Sequence, residues 1–414
     1  MDFQKYDDIF NKYNYPEFKE IINAEKVMYV PKDDKPCICL SGEKYKDCCK
    51  KDVDKAKKNR KVKGVKEELE RLYFQKDSKL ISSKVENKSV EKKNISYCSA
   101  CKIFGDCDTN HNNTRSHTLS KGNILKNLSG DGNDIVTCFN DHKVIDIEKI
   151  RNDINQYFTN VFIEDASVTV SFCKKHDVEL FADIETDGNT EYKRSDIQNL
   201  EYSLKAVSFD IYYKIMNISY MSKLINENKN VVYNDDGKYS SYFNDYYYTQ
   251  KSLFDIYPLM LKIISEIKDL KEKKVKPKLK SVYFELPVNK VNFSCSEVIY
   301  EWQTYCFINV INSKKPYIII SYYEEDGITE LNKLKSKFKS LSFNKYLQIN
   351  CLSEFVMMLL SNAQNIYFNS EAFEKLSDEE KVYLYIVHRE GTYGIPYNIQ
   401  HNNNRKLIDV LFPI

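Results

Sequence analysis

The chain has 414 residues, with 62 basic and 60 acidic side chains, a net charge of +2, 12 Cys and 6 His. That length predicts two to three domains and a core large enough to do without a disulfide framework. Near-neutrality excludes a uniformly basic nucleic-acid coat and leaves room for a local basic patch. No run of about 18 apolar residues suits a membrane span, and the acidic stretch Met1–Phe10 is no secretory signal. The expected setting is the cytoplasm, with no membrane association. Thiols stay reduced there, so closely spaced cysteines read first as metal ligands. Lys far outnumbers Arg, and Lys, Asn, Ile and Tyr are abundant, the composition of AT-rich bacterial coding.

Taken in chain order, Phe3, Tyr6, Ile9, Phe10 and Tyr13, then Phe18, Ile21 and Ile22 beyond Pro16, predict two short helices. Next come Cys37, Cys39, Cys48 and Cys49 in the spacing C-x-C-x8-C-C, with Gly42 supplying a turn between the pairs. Four thiolates in such a loop can close a tetrahedral zinc site with no open position. Together with Ser41-Gly42-Glu43-Lys44-Tyr45-Lys46, this stretch resembles the zinc motif at the C-terminus of the SecA translocation motor, with Leu40 where that family has Gly. The resemblance covers about 20 residues and implies a structural zinc that mediates binding to a protein partner. Lys50 to Lys66 is a basic run, and Val62, Val65, Leu69 and Leu72 recur at helical spacing. This predicts a helix with one apolar stripe and a Lys-rich face, read as solvated or as a phosphate-binding surface. Residues 76–95 suit a linker.

Cys98 and Cys101 form a C-x2-C half-site, His117 follows sixteen residues after Cys101 within Arg115-Ser116-His117, and Cys173 and His176 form a C-x2-H half-site. Two half-sites with a His between them resemble the treble-clef zinc region of HNH nucleases. In a second register, Asn133 through Cys138 and Asp141 to His142 resembles the HNH tail, with Asp141 replacing a zinc Cys. The register at Cys173 and His176 is preferred for the zinc. Ser116-His117-Thr118 followed by Phe172-Cys173 with His176-Asp177 resembles a group of bacterial HNH-like proteins associated with phage defence, over roughly residues 97–215 and with an echo at Asn365–Phe368. The resemblance implies His117 as general base, with Asn133, His142 or Asp177 assisting a Mg²⁺- or Mn²⁺-like ion. Ser116 stands where typical HNH enzymes carry an acidic residue. Cys107 remains an alternative ligand. Asp177 is open between orienting a zinc His and binding a metal. His111 lies in an Asn-rich, loop-like stretch and reads as exposed, while His388 and His401 have no sequence partners.

Further along, Ile197, Leu200, Leu204, Val207 and Ile211 predict one long helix, and Leu259, Ile263, Ile267 and Leu270 another. The runs SVYFELPV, VNFSC and YIIISYY predict strands, and Ser377 with Glu380 a capping box. Cys295, Cys306 and Cys351 lie in apolar contexts and read as small core residues.

The expectation is an α+β protein with four regions. They are helices and a zinc knuckle at 1–52, a basic helix and linker at 53–95, an HNH-like zinc region with long helices at 96–275, and an α+β domain at 276–414. The expected cofactors are two structural zinc ions. The expected function is DNA- or RNA-directed, as a metal-dependent endonuclease in phage defence or, alternatively, as a non-catalytic zinc-stabilised adaptor. No nucleotide-binding glycine loop, G-x-S-x-G elbow or H-E-x-x-H motif occurs.

Overall fold

The computed structural model describes residues 33–34, 44–47, 50–51, 54, 98, 100–104, 114–130, 133–140, 152–185, 191–227, 240–286, 288, 290–301, 304–312, 315–323, 345–390 and 406–413. The chain divides into two units, one of residues 1–15, 95–210 and 259–414, the other of residues 16–94 and 211–258. Cys37, Cys39, Cys48, Cys49, Cys107, His111, Asp141, His142 and His401 lie outside the described residues. In the second unit, Tyr45–Asp47 forms a 3₁₀ turn beside an ion pair between Lys50 and Asp33.

The first unit mixes helices with antiparallel strands, the α+β class expected. Among the described residues its core is a seven-stranded sheet. The strands are β2 (Ile135–Phe139), β3 (Phe158–Phe162), β5 (Leu279–Glu285), β6 (Phe293–Glu301), β7 (Thr304–Ile311), β8 (Tyr317–Tyr323) and β9 (Ile366–Asn369). They run in the order β3-β2-β9-β6-β7-β8-β5, every neighbouring pair antiparallel. A separate two-stranded ribbon pairs β1 (Ser116–His117) with β4 (Val168–Thr169), matching Ser116 to Thr169 and His117 to Val168. Thus two strands between residues 135 and 162 complete a sheet whose other five come from residues 279–369.

The sheet is buried on both faces. Cys295 and Ile299 of β6, Cys306, Ile308 and Val310 of β7, and Ile318 and Ile320 of β8 point into one cluster. Helices α7 (Lys345–Asn362), α8 (Ser370–Glu374) and α9 (Asp378–Glu390) add Phe355, Leu359, Phe373 and Ile386 to it. Alternate residues Phe307 and Ile319 are equally buried on the opposite face. There Lys262 of α6 (Ser240–Lys273) sits 3.6 Å over the Tyr323 ring, and Glu266 accepts from Leu279 N at 3.2 Å. Burial on both faces explains why β8 is interior at every position with Ser321 its one small polar residue, where a strand with one face in water would alternate. Among the described residues no helix is long and apolar enough to cross a membrane.

Local signals act as expected. Ser377 N donates to Glu380 Oε2 at 2.7 Å and Glu380 N donates to Ser377 Oγ at 3.3 Å, a reciprocal capping box that starts α9. Gly130, at φ 82°, closes α2 (Lys126–Ser129) in the left-handed region that glycine tolerates best. His388 is structural, stacked 3.8 Å from Phe139 and bonded to Tyr157 Oη at 2.6 Å and Ala363 O at 3.0 Å.

Candidate metal centre and the His117 strand

Cys98, Cys101, Cys173 and His176 converge. His176 Nδ1 lies 3.6, 3.3 and 3.3 Å from the sulfurs of Cys98, Cys101 and Cys173, and all four ligand atoms fall within 4.8 Å of one another. A tetrahedral zinc with Zn–S of about 2.3 Å and Zn–N of about 2.1 Å spaces its donors about 3.6–3.8 Å apart. The cluster therefore has the size and donor set to bind such a metal. Burial is the largest influence on the Cys98 thiol and pushes it up to about 11. Thiolates in this pocket need a cation beside them, and a divalent metal is the kind that supplies it. Cys98 and Cys173 are free thiols, whereas Cys101 is disulfide-bonded, so the metal-binding form requires Cys101 reduced. Among the described residues this is the one group of three or more such side chains placed to hold a metal.

Two short helices carry the ligands. Cys101 opens α1 (Cys101–Phe104), and Cys173 immediately precedes α3 (Lys174–Leu180), which holds His176. Both are steadied by α6. Lys268 donates to Ile103 O at 3.0 Å and Lys271 to Glu179 O at 2.8 Å, each placing a cation at a helix C-terminus. Phe104 packs on the His176 ring at 5.1 Å.

The β1–β4 ribbon lies between the two half-sites in the chain. Alternation along β1 buries Ser116 and sends His117 the other way. His117 Nε2 lies 3.0 Å from Ile163 O, which fixes the proton on Nε2 and leaves Nδ1 the acceptor of the neutral ring. Burial, the largest influence, holds His117 below its usual pKa. The carbonyls of Ile163 and Glu164 oppose the shift, and Lys205 and Lys121 add to it. His117 is thus neutral at pH 7. Around it, Arg115 pairs with Asp165 at 2.7 Å and Lys121 with Glu164 at 2.9 Å, all at least two-fifths exposed.

The remaining sequence candidates separate. Asn133 is exposed just before β2. Cys138 sits within β2 opposite Thr159. Asp177 lies near Ser116 and Lys205, and burial, its largest influence, holds its carboxyl above the usual range. Its Oδ1 is buried without a hydrogen-bond partner.

Two features were not anticipated. The first is α5 (Asp196–Glu227), buried on every side from Leu200 to Ser208, so that Glu201 and Lys205 are interior. The second is Asn365, fully buried, which donates to Thr118 Oγ1 at 2.9 Å and Ser296 O at 3.0 Å and accepts from Ser167 Oγ at 2.8 Å. It joins the ribbon to the large sheet. The charges Glu201 and Lys205 within an apolar run, four residues apart, were the available signal for the first.

Glu201 accepts from Lys271 at 3.0 Å and from Asp183 N at 3.1 Å. Burial, its largest influence, raises its carboxyl to about 8, against a lowering by Lys271. A carboxyl raised on folding contributes stability that is full below its unfolded value and lost as pH rises through the folded one. Between pH 4.5 and 8, wild type is therefore expected to lose stability relative to Glu201→Gln, by several kcal/mol in total at ~1.4 kcal/mol per unit. Urea titrations of both proteins across that range read the difference directly. Parallel curves would show that Glu201 does not titrate there.

No family model, curated protein or solved structure matches this chain.

Proposed function

We propose that the chain is a cytoplasmic, zinc-binding, nucleic-acid-directed protein of the HNH-like type, a metal-dependent endonuclease acting in phage defence. The observation that carries this reading is the joining of the Cys98/Cys101 and Cys173/His176 half-sites around the strand that bears His117. The treble-clef reading is supported by a first half-site, a ribbon strand after it and a helix that begins at the second half-site, although two strands of the large sheet lie in the chain between the ribbon's own strands. A closed site of this kind is structural, and zinc is the metal its three thiolates and one imidazole favour. His117, neutral and with Nδ1 as acceptor, is the group to take a proton from water attacking a phosphodiester. Arg115 and Lys121 flank it and would contact phosphate, their exposed ion pairs being worth ~1 kcal/mol or less and readily exchanged. A Mg²⁺- or Mn²⁺-like ion would polarise the phosphate, with Asp177, whose Oδ1 lacks a hydrogen-bond partner, or Asn133 or His142 as its candidate ligand. The four cysteines Cys37, Cys39, Cys48 and Cys49 would hold a second zinc and dock a protein partner.

One observation favours the second reading, a non-catalytic zinc-stabilised adaptor. Buried Ser116, whose Oγ accepts from Lys205 at 3.0 Å, stands where the HNH resemblance would put an acidic metal ligand.

Incubation of wild type and His117→Ala with plasmid DNA and with RNA, in Mg²⁺ or Mn²⁺, separates the two. Removal of a general base slows cleavage by about 100-fold or more, and the wild-type rate is expected to fall as pH drops through the lowered pKa of His117. Cleavage by neither protein, or equal cleavage by both, sides with the adaptor.

A further inference from the structure

Lys205 is 1% exposed, and a buried lysine requires an account. Its ammonium meets Glu185 Oε1 at 2.6 Å, Ser116 Oγ at 3.0 Å and the carbonyl of His117 at 2.8 Å, so its three protons have three acceptors. The Phe181 ring lies 3.8 Å beneath it. Asp177, which follows the ligand His176, lies near both Ser116 and Lys205. A single line of polar contacts thus runs from Glu185 through Lys205 to Ser116 and the carbonyl of His117. It holds β1 from behind, while Ile163 O holds the His117 ring from the front.

We propose that Lys205 is a positioning residue for His117, an internal cation that fixes the strand and ring orientation of the imidazole by binding the main chain of His117 and the hydroxyl of Ser116. The proposal deepens the His117 reading above, and rests on it for the claim that the position serves phosphodiester cleavage. A lysine kept only to staple helices together would suffice with carboxylates. This one spends two of three bonds on the two residues of β1. Lys271, by contrast, binds Glu201, Asp183 and Glu179 O and makes none of these contacts with β1.

The test follows the ring nitrogens of His117 by NMR across pH in the metal-loaded full chain, for wild type, Lys205→Met, Glu185→Gln and Lys271→Met. Wild type is expected to show the Nε2–H tautomer with a pKa below 6.5. In Lys205→Met the pKa rises toward the ordinary value and the tautomer becomes mixed, because a nearby cation and the strand pin are both lost. Glu185→Gln, at a part-exposed position that folding tolerates, moves the signals the same way by less. Lys271→Met leaves them in place. Should Lys205→Met fail to fold, the pair Glu185→Gln and Lys271→Met decides alone. Unmoved His117 signals in Glu185→Gln and in any folded Lys205→Met, or an equal movement in Lys271→Met, overturn the proposal. Cleavage assays on the same proteins are a separate arm, with kcat expected to fall in Lys205→Met at nearly constant KM. If wild type cleaves nothing, the endonuclease reading fails, while the NMR arm still decides the positioning.

Discussion

Replacing Cys173 by Ser or His176 by Ala is expected to remove one metal ion per chain and to cost at least about 4 kcal/mol of stability, the range seen when a structural metal is lost. The reason lies in what the cluster joins. Cys98 and Cys101 stand 72 or more residues before Cys173, and the segments they anchor are short: four residues in α1 and seven in α3. Helices that short do not persist on their own. With the metal gone, the buried pocket keeps thiols with no cation, and the packing of Phe104 on His176 has nothing to hold it. Metal analysis of the reduced protein, paired with urea unfolding, reads both effects. If the Cys37–Cys49 cluster also binds, wild type carries about two zinc ions and each variant about one. Unchanged metal content in both variants would dismiss the cluster as a site.

Asn365→Ala is expected to be nearly as damaging, at about 3–5 kcal/mol, because it removes a hydrogen bond from several buried polar groups at once. Ser296 O loses a donor, Thr118 Oγ1 loses a donor, and Ser167 Oγ loses an acceptor. None of these can reach water, since Ser167, Ser296 and Thr118 are all at most 3% exposed. Ser167 is further committed, at φ 58° in the turn before β4, with its N–H donating to Tyr367 Oη at 2.6 Å. Asn365→Asp should be worse than Ala, because a carboxylate would face the Ser296 carbonyl close to Glu297, whose Oε1 already accepts from Asn365 N. Urea midpoints measure the series. An alanine variant within about 0.5 kcal/mol of wild type would show that the network contributes little.

Much of the local structure was legible because it depends on near neighbours. The period of apolar residues from Ile197 to Ile211 places them within α5, and the run YIIISYY is β8 from end to end. Ser377 and Glu380 needed only each other to announce α9. The ligand pairs were readable for the same reason, since C-x2-C and C-x2-H spacings each present two donors on one short turn. That Cys173 and His176 complete the site of Cys98 and Cys101, while Cys138 lies within a strand, matches the preferred register. Strand β7 escaped notice because TYCFINVI carries Asn and Cys in a stretch that is interior from Cys306 to Ile311, where burial on both faces leaves no polar alternation to see.

What the sequence alone determined, then, is chemistry at short range: the α+β class, the helix and strand runs, and two half-sites with soft donors suited to a metal. What stands behind them follows from the folding of distant segments against one another. Nothing in the spacing of Lys205 shows that its ammonium reaches the carbonyl of His117, 88 residues away, or that Asn365 meets Thr118, 247 residues away. Burial turns those residues from ordinary polar side chains into obligatory partners. A charge or amide removed from water must find its counterpart in the fold, and the sequence does not record where that counterpart comes to lie.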